Sequence, residues 1–164
     1  IQRLKQNMDD LYVFSNPPRE LEIQAEFLTE NPLVVIAKQE HKLRGERTIL
    51  WSQLYDERLL MREQGSGTRY AIERFFNEQG IAMQNPITVA SNEAIKESVM
   101  AGLGIAILSR HALNHMAPGN LIELPVKGFP IPNSWYWVVP KGKQLSTAAK
   151  AFQAHVAKNL ATLW

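Results

Sequence analysis

The chain has 164 residues, 45% of them hydrophobic, enough to fold as one domain or two small ones. It contains no cysteine, which excludes disulfides, thiolate catalysis and thiolate metal sites and suits a reducing compartment. Lys and Arg number 18 against 16 Asp and Glu, and the net charge of +2 is scattered, unlike the clustered basic face of a nucleic-acid binder.

In chain order, Ile1 to Met8 reads as the end of a helix with Ile1, Leu4 and Met8 on one face, as in a fragment of a longer protein. Leu11 to Phe14 is an apolar strand stopped at Ser15-Asn16-Pro17-Pro18. Leu21 to Phe27 alternates as a half-exposed strand should, with Leu33 to Lys38 as its expected partner. Thr48 to Leu54 is ambiguous, with one helical turn packing Leu50, Trp51 and Leu54 as the reading.

Arg58 to Arg62 then predicts a strand, Gly65-Ser66-Gly67 a tight loop, and Thr68 the cap of a helix to about Gln79. That helix turns Ala71, Ile72, Phe75 and Phe76 inward and ends at Gly80. Ile87 to Ala90 is a strand, Asn92 the cap of a helix burying Ala94, Ile95, Val99 and either Met100 or Leu103, and Ile105 to Leu108 a third buried strand, with Ser109 capping a short helix. Three strand, turn, helix repeats imply right-handed crossovers, a mostly parallel sheet, and a ligand crevice outside the strand carboxyl ends. Leu121 to Leu124 and the aromatic run Trp135 to Val139 are further strands. A closing helix from Thr147 to about Leu160 carries Ala149, Phe152, Val156 and Leu160 on one stripe. The longest apolar stretches, Pro32 to Ala37 and Gly104 to Leu108, are far short of a membrane span, which needs about 18 residues. No signal peptide is seen, so no membrane partner is expected and a cytoplasmic location is.

The segment from Arg62 to Arg69 carries the most chemistry. Two glycines admit close backbone approach, the helix start offers free N–H groups and a favourable dipole, and Ser66 and Thr68 add hydroxyls. Arg69 supplies a forked cation suited to carboxylate or phosphate. A small-anion cradle and a plain capped helix with a surface arginine fit this spacing about equally. The required Lys of a P-loop and the third Gly of a dinucleotide fingerprint are absent. Ser91-Asn92-Glu93 repeats the arrangement at the next strand end, with Asn92 as cap, crevice residue or both. Ser15-Asn16 ends a strand elsewhere and reads as a second ligand segment or an Asn-Pro turn. Catalysis finds little support: His111 and His115 are four apart without a third ligand, and Ser66 lacks nucleophile-elbow spacing. No catalytic residue, metal site or cofactor is expected.

The run Met61 to Arg69, the Phe75-Phe76 helix, Ser91 to Lys96 and above all Val99 to Leu108 resemble the effector-binding domain of LysR-type transcriptional regulators. Asp9 to Pro18 looks like the CbbR-like subgroup that controls carbon fixation operons. The resemblance implies an α/β, periplasmic-binding-protein-like fold: two Rossmann-like lobes with mostly parallel sheets joined by two crossing strands. Carried over, residues 1–50 form part of the first lobe, 51–137 the second, and 138–164 a return strand and helix completing the first. The family's first lobe starts earlier, with a strand, a helix and a further strand, so a truncated first lobe is expected. The implied effector lies between the lobes on Ser15, Asn16, Gln64, Ser66, Gly67, Thr68, Arg69 and Asn92. Ribulose bisphosphate, phosphoglycolate, phosphoenolpyruvate and 2-oxoglutarate are all compatible with that set.

The same resemblance implies a homodimer or homotetramer, with Ile72, Phe75 and Phe76 as candidate interface residues, although core packing explains them more simply. It also implies DNA binding through a winged helix-turn-helix outside these residues, and RNA polymerase as a partner of the full protein. Effector capture would shift the lobes and re-space the DNA-binding domains. The function expected is a sensor and not an enzyme. A transport-type solute-binding protein is the alternative, as is a small-anion-binding enzyme on the same fold with Glu93 as its base.

Overall fold

The computed structural model describes residues 1–84, 86–113 and 120–163, and the chain divides into two compact units. The first comprises Ile1–Glu30 and Ser134–Trp164, the second Asn31–Asn133.

The first unit holds the short helix α1 (Gln2–Lys5), the strands β1 (Tyr12–Phe14), β2 (Ile23–Glu30) and β8 (Ser134–Pro140), and the closing helix α4 (Thr147–Leu163). Its sheet runs β1-β8-β2 and is antiparallel throughout. β8 is the central strand: Tyr12 lies opposite Val138 on one side and Ala25 opposite Val138 on the other. Central position explains the bulk of Trp135-Tyr136-Trp137, which cross-strand neighbours and α4 cover in part. Leu4 of α1 and Val138 are buried, as are Ala149 and Val156 of α4. Phe152, expected on the same inward stripe, is 55% exposed and meets Trp137 edge-on at 6.0 Å between ring centres.

The second unit contains β3 (Leu33–Lys38), a 3-10 turn at Trp51–Leu54, β4 (Leu59–Met61), α2 (Gly67–Gln79), β5 (Ile87–Thr88), α3 (Asn92–Met100), β6 (Ile105–Ser109), a 3-10 turn at Arg110–Leu113, and β7 (Leu121–Leu124). Its five-stranded sheet has the order β5-β4-β6-β3-β7. β4 runs parallel to β5 and β6, whereas β3 is antiparallel to β6 and β7.

Period-2 alternation divides the core. Leu33, Val35, Ala37, Met61 and Ile107 pack with Ile72 and Phe76 of α2 on one face, while Val34, Ile36, Leu60, Ala106 and Leu108 pack with Ile95 and Val99 of α3 on the other. Helices therefore cover both faces of the sheet, which is why β3 and β6 read as unbroken apolar runs. Gly104 opens β6 against β4: a Cβ there would lie 2.1 Å from the Arg58 carbonyl oxygen, so only glycine fits.

Three expectations are corrected. Leu33–Lys38 does not pair with Leu21–Phe27, because β2 pairs with β8 and β3, buried on both faces, needs partners on both edges. Residues 31–50, expected with the first lobe, consequently fall in the second unit, and residues 134–137, expected at the end of the second lobe, fall in the first unit with the rest of β8. The sheets are mixed and antiparallel, not mostly parallel: among the described strands, the parallel pairs are β4 with β5 and β4 with β6, from the strand, helix, strand repeats.

Candidate functional site

The site grows from the carboxyl end of β4. Arg62 follows the buried strand directly, and its side chain is only 21% exposed. Its Nε and Nη2 donate to the two carboxylate oxygens of Glu63 at 2.7 and 2.9 Å, and Nη1 donates to Asn92 Oδ1 at 2.8 Å. The fork of hydrogen bonds from Arg62 holds the Glu63 carboxyl down at about 2 and raises the Arg62 guanidinium above its ordinary value.

The chain then turns. Gly65 has φ +90°, a left-handed conformation that a side chain would strain, and Ser66 N–H closes the turn on Glu63 O at 3.2 Å. Ser66, not Thr68, is the N-cap of α2, and its hydroxyl makes no capping bond to the helix. The first helical bond runs from Tyr70 N–H to Ser66 O, so the N–H groups of Gly67, Thr68 and Arg69 have no intrahelical acceptor. A half-buried serine, a threonine and three N–H groups without an intrahelical acceptor thus surround the start of a 13-residue helix. Gln64 is exposed at the turn.

Arg69, read from sequence as a cation for the ligand, has structural partners. Its Nε donates to Glu73 Oε1 at 2.7 Å, and its Nη1 to Arg62 O at 3.0 Å and Thr88 Oγ1 at 3.2 Å. With a side chain 11% exposed, it is a strut joining α2 to the ends of β4 and β5. Asn92 is likewise not a cap: Ser91 Oγ accepts the capping bond from Ala94 N at 3.1 Å, which leaves Asn92 on the first turn of α3 to receive Arg62.

In the second unit Arg62 is bonded to both Asn92 and Arg69, with Ser66, Gly67 and Thr68 preceding Arg69 at the start of α2; sequence reasoning gave no separate role to Arg62, Glu63, Glu73 or Thr88. An arginine immediately after a buried strand was the available signal; its partners were not readable, because Asn92 lies 30 positions away. Ser15, half-buried, and Asn16, exposed, follow β1 in the first unit. Ile72 and Phe76 are fully buried in the core of the second unit, and the half-buried Phe75 packs against Phe129 at 5.3 Å between ring centres.

Among the described residues no group of three or more His, Cys, Asp or Glu is placed to hold a metal ion, and no helix is long and apolar enough to cross a membrane. His115, the sequence neighbour of His111 weighed for a metal pair, lies outside the described residues. The first unit also carries an open, mainly apolar groove of about 590 Å³ lined by Val13, Leu28, Trp135, Trp137, Phe152, His155 and Val156. Such a lining does not suit an anion.

A cation at a strand end, beside a helix start whose first N–H groups have no intrahelical acceptor, is an arrangement chemically suited to a small anion. Over residues 1–161 the sequence matches the model of the LysR substrate binding domain, and the chain belongs to that family. It is 43% identical to a RuBisCO operon transcriptional regulator of Acidithiobacillus ferrooxidans over 95% of this chain and 51% of that protein. It is 46% identical to the HTH-type transcriptional activator CmpR of Synechocystis sp. PCC 6803 over 93% of this chain and 50% of that protein. The chain thus spans about half the length of the curated relatives it matches. Among solved structures, the regulatory domain of Synechocystis CcmR in complex with 2-PG superposes with a TM-score of 0.88 and 39% identity, over 96% of this chain and 76% of that one.

Proposed function

We propose that this chain is the effector-sensing part of a LysR-type transcriptional regulator of carbon fixation genes, and that its effector is a small phosphorylated or carboxylated metabolite. The observation that carries the reading is the 39% identity and 0.88 TM-score shared with a regulatory domain in complex with 2-PG. The chemistry at the end of β4 supports it. Arg62 already grips a carboxylate with two parallel hydrogen bonds, and the Ser66 hydroxyl and the N–H groups of Gly67, Thr68 and Arg69 follow within one turn of chain.

In this reading Ser66, Gly67 and Thr68 touch the anion, Arg62 provides the charge, and Arg69 and Asn92 hold Arg62 and α2 in place. Gln64 completes the ligand set of the second unit on the strength of the family resemblance, which also gives Ser15 and Asn16 of the first unit a ligand-binding role. DNA binding belongs to a winged helix-turn-helix outside these residues, in a cytoplasmic homodimer or homotetramer that works with RNA polymerase. The module binds and does not catalyse.

Calorimetric titration of the protein with 2-phosphoglycolate, ribulose bisphosphate, phosphoenolpyruvate and 2-oxoglutarate tests this. One saturable ligand is expected, weakened about tenfold or more by Arg62→Ala and several-fold by Ser66→Ala, the range for hydrogen bonds to a charged group. Binding that is indifferent to both substitutions would move the site elsewhere.

A further inference from the structure

We propose that Glu63 is an internal counter-ion of Arg62 that an anionic effector must displace, so that Glu63 sets the affinity of the site. This rests on the reading above and adds a residue whose effect is opposite in sign to that of a ligand contact. The Glu63 carboxylate occupies the Nε and Nη2 edge of Arg62, at 2.7 and 2.9 Å, with the paired geometry a ligand carboxylate or phosphate would adopt.

The two partners are unequally anchored. Arg62 is held from behind: Nη1 donates to Asn92 Oδ1 at 2.8 Å, its carbonyl accepts from Arg69 at 3.0 Å, and its side chain is only 21% exposed. Glu63 is 40% exposed, and among the described residues Arg62 is the side chain that meets its carboxylate. When the pair opens, the cation stays in place and the carboxylate swings into water. The Arg69–Glu73 pair differs, since Arg69 is 11% exposed and both residues lie one turn apart on α2, where they brace the helix.

Exchange of one carboxylate for another on Arg62 gains little by itself. A phosphorylated ligand brings further charge, which the N–H groups at the start of α2 are positioned to accept, so the exchange favours it over a plain monocarboxylate. The carboxyl of Glu63, held at about 2 by Arg62, is ionised at any physiological pH, so the competition is constant.

The test compares wild type, Glu63→Gln, Glu63→Ala and Glu97→Gln by calorimetric titration with 2-phosphoglycolate, with thermal melting to confirm that each variant is folded. Glu97 is exposed on α3 and controls for the loss of one negative charge from the unit. Both Glu63 variants are expected to bind about five- to tenfold more tightly, the scale of a part-exposed ion pair plus relieved like-charge repulsion, and Glu97→Gln to change less than about twofold. Unchanged or weaker binding in the folded Glu63 variants overturns the proposal while leaving the site in place, as does equal tightening in Glu97→Gln. Failure of wild type and variants alike to bind 2-phosphoglycolate overturns this inference together with the effector reading for that ligand.

Discussion

Asn92 Oδ1 accepts a 2.8 Å hydrogen bond from Arg62 Nη1, tying the first turn of α3 to the residue that follows β4 across 30 positions of sequence. The bond explains why an asparagine stands where a helix cap was expected: the capping is done by Ser91, one residue earlier, and the Asn92 amide is left to orient a cation.

That division of labour separates two substitutions. Ser91→Ala should cost about 1 kcal/mol in urea denaturation, the usual loss of a serine cap. Asn92→Ala keeps the cap and should instead weaken anion binding several-fold in a titration, because Arg62 loses the partner that fixes its orientation. Equal stability losses for the two variants with no change in binding would return Asn92 to a purely structural role.

The Arg62 and Glu63 pair predicts a titration with a definite sign. The Glu63 carboxyl lies at about 2 in the folded protein, against an ordinary value of 4.5, because of hydrogen bonds from Arg62 and from its own backbone. A depressed folded-state value means that its contribution to stability is present above 4.5 and is lost as pH falls from there through 2. Carboxyl carbon NMR should give Glu63 a midpoint well below the ordinary 4.5, and Arg62→Ala should raise it toward that value.

Gly104→Ala should destabilise the second unit by at least about 2 kcal/mol, since the new methyl group meets the backbone carbonyl of Arg58 at 2.1 Å and neither strand can move without losing the Ile105 N–H to Arg58 O bond. Gly45→Ala is the informative contrast: its added carbon meets nothing within 4 Å, and only its φ of +93° opposes the change. Chemical denaturation of the two variants distinguishes collision from backbone preference.

Phe76→Ala should cost about 3–5 kcal/mol, as expected for a fully buried aromatic that meets Trp51 at 4.6 Å between ring centres. A residue serving only a subunit surface would change monomer stability by less than about 0.5 kcal/mol. Thermal melting at low protein concentration, where any oligomer dissociates, decides between the two.

Much of this architecture was written in local sequence. The repeats from β4 to β6, the inward residues Ile72, Phe76, Ile95 and Val99, the terminating Gly80 and the anion-suited loop from Arg62 to Arg69 follow from period, cap chemistry and glycine placement, all of which act over a few residues. Tertiary structure decided what distance in sequence conceals. It assigned β3 to the second unit and placed it antiparallel to β6 and β7, because an unbroken apolar run says that both faces are buried but not which edges pair. It moved one cap from Thr68 to Ser66 and the other from Asn92 to Ser91, since neighbouring hydroxyl and amide residues compete for the same position. It also turned Arg69 into a strut and made Arg62 the more exposed of the two cations, because the partners of a cation, Asn92 and Thr88 among them, are set by which strand ends lie side by side.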